Sequence, residues 1–216
     1  VGGKVHPEEQ TMSRPSLLLF DLGGVLIENA TFANLARLLP EPMDTVALKD
    51  RWLASSAIRR FELGEVSPQA FAELFIDEWK IPLAPGVFLE EFASWPTGFH
   101  PEARLTLRVL RQRYRAGCLS NCNVLHWAKF DGFKEDFDFA LSSHLLGAIK
   151  PDDEAFIRAL AACGAEPSSV YFFDDAVRNV EAARRLGIRS FHVDGFDSLL
   201  RVLRAELLLP VQGGLP

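Results

Sequence analysis

No apolar run in this sequence approaches the roughly 20 residues that cross a bilayer, so a helical membrane span is not expected. Residues 1–14 are polar and lack the apolar stretch of a secretory leader, and Met12 is read as a natural start preceded by extra residues. Cysteine is scarce. Cys118, Cys122 and Cys163 form neither an even framework nor a Cys-x-x-Cys pair. Disulfides and a zinc site are therefore not expected, and a reducing cytoplasm is. In that compartment the glycosylation-like triplet Asn29-Ala30-Thr31 carries no meaning. There is no basic excess either: 23 Lys and Arg stand against 29 Asp and Glu, a net charge of −6, which argues against a broad electrostatic grip on nucleic acid. Arg104, Arg108, Arg111, Arg113 and Arg115 read as the wet face of one helix. Internal repeats and low-complexity tracts are also missing.

What is present is ordinary globular composition, 48% hydrophobic and 24% charged over 216 residues, a length that suits one domain with a large insertion. Ser16-Leu17-Leu18-Leu19-Phe20 is a short continuous apolar run that ends at Asp21 and is followed by Gly23-Gly24. A fully buried parallel strand with a loop at its carboxyl end reads this way. From 31 to 95 the periodicity is helical, with apolar stripes at Phe32, Leu35, Leu38 and Leu39, then at Val46, Leu48, Trp52 and Leu53. Ser67-Pro68 caps a third helix whose inner face holds Phe71, Leu74, Phe75 and Trp79, and 85–95 is a fourth. No strand is expected in that stretch. Strands are then expected at 116–119, 137–141, 170–173 and 188–193, alternating with helices at 101–114, 124–130, 152–163, 177–186 and 196–207. Alternation of this kind predicts right-handed βαβ units and a mainly parallel sheet, an α/β Rossmann-like three-layer sandwich. The expected division is a core of 15–27 and 98–207, an all-helical insertion of 28–97, and loose termini at 1–14 and 208–216.

Open parallel sheets bind ligands beyond the carboxyl ends of their strands. Those ends carry Asp21, then Ser120 and Asn121, then Asp174 and Asp175, with Lys150 in the loop Lys150-Pro151-Asp152. Three crowded carboxylates repel unless a cation joins them. Hard oxygen ligands without histidine or cysteine favour Mg²⁺. A cation and Lys150 could hold a dianionic phosphate, Ser120 could donate to its oxygens, and one carboxylate could attack phosphorus.

This arrangement resembles the haloacid dehalogenase superfamily, whose members are mostly phosphatases. The likeness covers about 17–203. Phe20-Asp21-Leu22-Gly23-Gly24-Val25-Leu26 looks like its first motif, Leu119-Ser120-Asn121 the second, Lys150-Pro151-Asp152 the third, and Phe172-Phe173-Asp174-Asp175 with Asn179 the fourth. The helical insertion is similar to the superfamily's small cap. The resemblance implies Asp21 as nucleophile and Mg²⁺ ligand and the Gly23 carbonyl as another ligand. It implies Asp175 as a direct ligand and Asp174 as a direct or water-mediated one. Ser120 and Lys150 would bind the phosphoryl group, with Asn121 in support.

One position departs from the pattern. Most phosphatases of the superfamily have a second aspartate where this chain has Gly23, and that aspartate transfers protons. General acid–base help is worth roughly 10²–10⁴-fold. Three readings stay open: a substitute group, with His126 and Glu28 as candidates; a substrate whose leaving group needs little protonation; or a protein that binds a phosphorylated ligand or partner without turnover. Gly23, together with Phe61-Glu62-Leu63-Gly64-Glu65-Val66-Ser67 and Ser120-Asn121-Cys122-Asn123-Val124-Leu125-His126, resembles the α-D-glucose-1-phosphatase-like branch, which implies a sugar phosphate. A metal-free 2-haloacid dehalogenase ranks last, because Asp174 and Asp175 beside Asp21 would repel a carboxylate substrate. In the insertion, Arg59 and Arg60 read as a substrate contact or a solvated helix end. Trp95, Phe99 and His100 read as pocket lining or hinge packing, and Trp52 and Trp79 as insertion core. The expected partner is a small phosphorylated metabolite, with no nucleic acid and no membrane, for a monomer or homodimer.

Overall fold

Strand β1 (Leu17–Phe20) is buried at every position, so both of its faces must be covered by other elements. The computed structural model describes residues 14–29, 31–129 and 132–209. Residues 1–13 and 210–216, which make up most of the expected loose termini, and Ala30 of the glycosylation-like triplet lie outside these. Around β1 runs a five-stranded sheet ordered β5-β4-β1-β6-β7, with β4 (Arg115–Ser120), β5 (Phe139–Ser142), β6 (Val170–Asp174) and β7 (Arg189–His192). Every neighbouring pair is parallel. This is the α/β three-layer architecture that the alternation predicts.

The two faces of β1 divide its side chains by the two-residue period of a strand. Leu18 and Phe20 pack with Leu107 and Leu110 of α6 (Ala103–Leu110) and with Leu199 and Leu203 of α11 (Phe196–Ala205). Leu17 and Leu19 pack on the other side with Phe156 and Ala159 of α9 (Asp153–Cys163) and with Ala182 and Ala183 of α10 (Val177–Arg185). The short helices α7 (Val124–Lys129) and α8 (Ser143–Leu146) follow β4 and β5. The expected helix over 101–114 is shorter, because the chain turns at 111–114 into β4. The expected loose end starts later than 208, since Leu208 is buried in the core. Among the described residues no helix is long and apolar enough to cross a membrane.

Among the described residues between β1 and α6 lie five helices: α1 (Thr31–Leu38), α2 (Thr45–Ala54), α3 (Ser56–Glu62), α4 (Pro68–Trp79) and α5 (Pro85–Ala93). They enclose an apolar cluster of their own, dense in aromatic rings, with Phe61 stacked on Phe71 at 4.1 Å and Phe92 at 4.9 Å from Trp95. Local chemistry sets their ends. The Asp44 carboxylate accepts from the Val46 and Ala47 amides, and the Ser67 hydroxyl accepts from Ala70 just after Pro68 opens α4. Ser55 ends α2 in an extended conformation and caps α3 by accepting from the Ile58 amide. That break makes α3 a separate helix, which the sequence reading did not anticipate. Three expected core positions are corrected: Val46, Leu53 and Leu74 are exposed, because α2 and α4 bury narrower faces than their apolar spacing suggests.

A second departure flanks the insertion. Strands β2 (Ile27–Asn29) and β3 (Pro96–Phe99) pair antiparallel and join its two ends to the core. Three- and four-residue strands are too short for a period-two signal, and their pairing spans the whole insertion.

Candidate active site

Phe20 is in register with Phe173, and the Asp21 amide donates to the Phe173 carbonyl at 2.8 Å. Asp21 and Asp174 therefore leave adjacent strands at one level, and β4 brings Ser120 to the same edge. A cavity of about 550 Å³ opens over this edge. Asp21, Ser120, Lys150 and Asp175 line it from the sheet side, and Trp52, Arg59 and Glu62 from the insertion.

Lys150 is 2% exposed, and its ammonium donates to Asp21 Oδ1 at 2.8 Å and to Asp174 Oδ2 at 2.6 Å. Burial acts against this charge, but the Asp174 and Asp21 carboxylates outweigh it and raise the lysine pKa. Burial also pushes the Asp21 carboxyl up to about 7; Lys150 opposes the rise, while Asp174 and Asp175 add to it. Asp174 is fully committed. Its Oδ1 accepts from the Ala176 amide and from Asn179 Nδ2, and its Oδ2 from Asn179 Nδ2 and Lys150. Asp175 is exposed as a residue, yet the protein around its carboxyl displaces enough water that this desolvation, with the Asp174 charge, raises its pKa.

Carboxylate oxygens of Asp21, Asp174 and Asp175 lie within 4.8 Å of one another. Two oxygens held about 2.1 Å from one Mg²⁺ lie about 3.0 Å apart when adjacent and at most about 4.2 Å apart when opposite, so the set must draw together by at least about half an ångström to share a cation, or reach it in part through water. The donors are oxygens only, and Asp21 Oδ2 has no hydrogen-bond partner among the described residues. The residues therefore fit a small hard cation.

Gly24 shapes the same corner. It has φ +75°, and a Cβ there would sit 2.5 Å from Asp175 Oδ2. Only a residue without a side chain lets the loop after β1 pass this close to the acidic pair.

The structure brings together Asp21, Gly23, Ser120, Asn121, Lys150 and Asp175 around the cavity, with Asp174 behind them. Asn121 supports the site through Lys150. Its Oδ1 accepts from the Lys150 amide and its Nδ2 donates to the Lys150 carbonyl, both at 2.9 Å. Its amide braces the lysine loop instead of being held ready for a phosphate. His126 lines the cavity, but both ring nitrogens are engaged, Nε2 with the Phe92 carbonyl at 2.8 Å and Nδ1 with Asn123 at 3.2 Å. Burial lowers its pKa to about 4, so it is neutral and does not serve as the substitute acid. Glu28 stands exposed at the rim. Arg59 binds Asp152 at 2.5 Å, joining the insertion to the lysine loop. Trp95 is wholly buried among the insertion helices and His100 stacks on Phe196, so both pack instead of lining the cavity. Trp52, expected only in the insertion core, also reaches the cavity wall.

Among the cavity residues to which the sequence reading gave no role, Glu62 and Arg178 carry charge close to Asp21 and Lys150. Burial and the charge of Asp21 push the Glu62 carboxyl up to about 7, against Arg178 and Lys150. Arg178 is half-buried, and its Nε has no hydrogen-bond partner among the described residues. Helical spacing contained a signal for the glutamate, because Glu62 follows buried Ile58 by four residues and so shares its inward face.

A family model described as haloacid dehalogenase-like hydrolase matches residues 15–187. A Mycobacterium tuberculosis protein named as a phosphatase is 36% identical over 109 residues, which cover 48% of this chain and only 50% of that protein. The D-ribitol-5-phosphate phosphatase of Bacteroides thetaiotaomicron is 26% identical over 188 residues, 81% of this chain and 89% of the relative. A haloacid dehalogenase family enzyme from the same bacterium, solved in complex with magnesium and inorganic phosphate, superposes with a TM-score of 0.68 at 23% identity. It covers 83% of this chain and 94% of that one, a likeness of fold.

Proposed function

This chain belongs to the haloacid dehalogenase-like hydrolases, and from that membership we propose that it is a Mg²⁺-dependent phosphatase of a small phosphorylated metabolite, working through an aspartyl-phosphate on Asp21. One observation carries the reading: Asp21, Lys150 and Asp175 line one cavity with Asp174 directly behind them, and the lysine ammonium lies between the Asp21 and Asp174 carboxylates. Asp21 attacks phosphorus in line, and the oxygen of the leaving group departs on the opposite side. Lys150 moves part of its charge from Asp21 to the phosphoryl oxygens, and Ser120 donates to them. Asn121 and Asn179 hold Lys150 and Asp174 in place. Asp21, Asp175 and the Gly23 carbonyl would hold Mg²⁺ directly, and Asp174, whose oxygens are already engaged, through water. Mg²⁺, when bound, supplies positive charge against the carboxylates and the phosphoryl group.

Residues 28–97 serve as a cap over a core of 15–27 and 98–207, which limits the substrate to a small molecule and excludes bulk water. A sugar or polyol phosphate suits a cavity whose wall carries Lys49, Arg59, Glu62 and Arg178, and the relative that acts on D-ribitol 5-phosphate supports that class. The free, buried thiols of Cys118, Cys122 and Cys163 support a cytoplasmic location. Gly23 favours a second reading, binding of a phosphorylated ligand without turnover.

A panel of phosphorylated metabolites, with p-nitrophenyl phosphate as the general probe, separates the two. Phosphate release that requires Mg²⁺ and disappears in Asp21→Asn is expected. Ligand binding with no release across the panel overturns the phosphatase.

A further inference from the structure

Gly23 leaves the leaving-group oxygen without a proton donor on the core side, where His126 is tied to Phe92 and Asn123 and Glu28 stands exposed at the rim. We infer that Glu62, reaching the cavity from the end of α3, is the general acid and base of the reaction, an assignment that rests on the phosphatase reading above.

The geometry has three parts. Glu62 lines the same cavity as Asp21 and Gly23. Its side chain has no hydrogen bond or ion pair among the described residues, so the carboxyl is open to a ligand. Its backbone is fixed to the core. The Ser143 hydroxyl donates to the Glu62 carbonyl at 2.6 Å, and the Cys122 amide donates to the same hydroxyl at 3.0 Å. Cys122 follows Ser120 and Asn121 directly, so the loop that lines the phosphate site also registers Glu62. The turn after Glu62 lies flat on this contact: a Cβ on Gly64, at φ +75°, would come within 2.9 Å of the His144 carbonyl. Glu62 is thus held by the core although it belongs to the insertion.

The charged groups around it are Asp21 from β1, Lys150 from the loop before α9, and Arg178 from α10. Burial and Asp21 favour the protonated carboxyl, while the two cations favour the carboxylate. A group balanced in this way can give a proton and take one back near neutral pH.

In the first step an Asp21 oxygen bonds to phosphorus and the bond from phosphorus to the leaving oxygen breaks. The electron pair stays on that oxygen, which takes the Glu62 proton and departs as an alcohol. In the second step a water oxygen bonds to phosphorus while the Glu62 carboxylate removes one of its protons. The bond from phosphorus to Asp21 breaks, its pair returns to the aspartate, and inorganic phosphate leaves with Glu62 protonated again.

The test is Glu62→Gln with Mg²⁺ and two probes, p-nitrophenyl phosphate and phenyl phosphate. The first releases a stable anion that needs no proton; the second releases a basic one that does. kcat/KM covers only the steps through departure of the alcohol, so it isolates the acid role. Loss on phenyl phosphate by about 10²-fold or more, with less than about fivefold loss on p-nitrophenyl phosphate, is expected. The ratio of the two values does not depend on the fraction of enzyme that is folded, so a folding defect does not imitate the result. An unchanged ratio overturns the role of Glu62. No phosphate release by the wild-type protein from either probe overturns the phosphatase reading instead.

Discussion

Removing the charge of the nucleophile should stabilise this protein when no metal is bound. Asp21 has its pKa raised from 3.8 to about 7 by burial, against Lys150 and with Asp174 and Asp175. Below pH 4 the group is protonated in both folded and unfolded chains and has no effect. Between 4 and 7 the unfolded chain ionises first, so the folded state binds more protons and loses stability as pH rises. Above 7 the penalty is complete. At about 1.4 kcal/mol per pH unit it reaches about 4 kcal/mol. Asp21→Asn keeps the shape and removes the penalty. Metal-free Asp21→Asn should therefore melt above wild type, by roughly 8–16 °C at pH 8 for a chain of this size, and by much less at pH 5. Adding Mg²⁺ should narrow the gap by raising wild type, about 2.7 kcal/mol at 100 times its Kd and about 4.1 kcal/mol at 1,000 times, where the gap closes, and leaving the variant nearly unmoved. Thermal melts in chelator and in Mg²⁺ between pH 5 and 8 measure all of this. An Asp21→Asn protein no more stable than wild type at pH 8 in chelator, or an advantage that is the same at pH 5 and 8, would refute the account of a site charged for a cation.

Gly24→Ala places a Cβ against Asp175 Oδ2 at a positive φ, and should weaken Mg²⁺ activation by about tenfold or more while Asp21 keeps its place; Mg²⁺ titration of activity checks it. Asn121→Ala removes both hydrogen bonds to the Lys150 backbone, and should lower kcat/KM by about tenfold and destabilise the fold by about 1–3 kcal/mol, read by steady-state kinetics and denaturant melts. Chelation should abolish phosphate release, and excess Mg²⁺ should restore it within one assay.

Much of this site could be read from the chain because its signals are local. An apolar run ending in Asp21, another ending in Asp174-Asp175, and glycines at 23 and 24 mark strand ends whatever surrounds them. The alternation of elements then sets strand against helix and predicts the parallel sheet. The missing pieces are non-local. Strands β2 and β3 are too short to carry a period and exist only because the ends of the insertion meet. Helix α3 depends on Ser55 turning the chain in mid-run. Val46, Leu53 and Leu74 look like core because apolar spacing does not say how wide a buried face is.

The amino-acid order by itself determined the layered α/β fold and the acidic residues at the strand ends, because backbone period and strand-end chemistry act over a few residues. Only the tertiary structure decided that His126 is tied to Phe92, that Asn121 clamps Lys150, and that Glu62 lines the same cavity as Asp21. Those outcomes depend on which side chains compete for the same partners and the same dry space, and packing alone sets that competition.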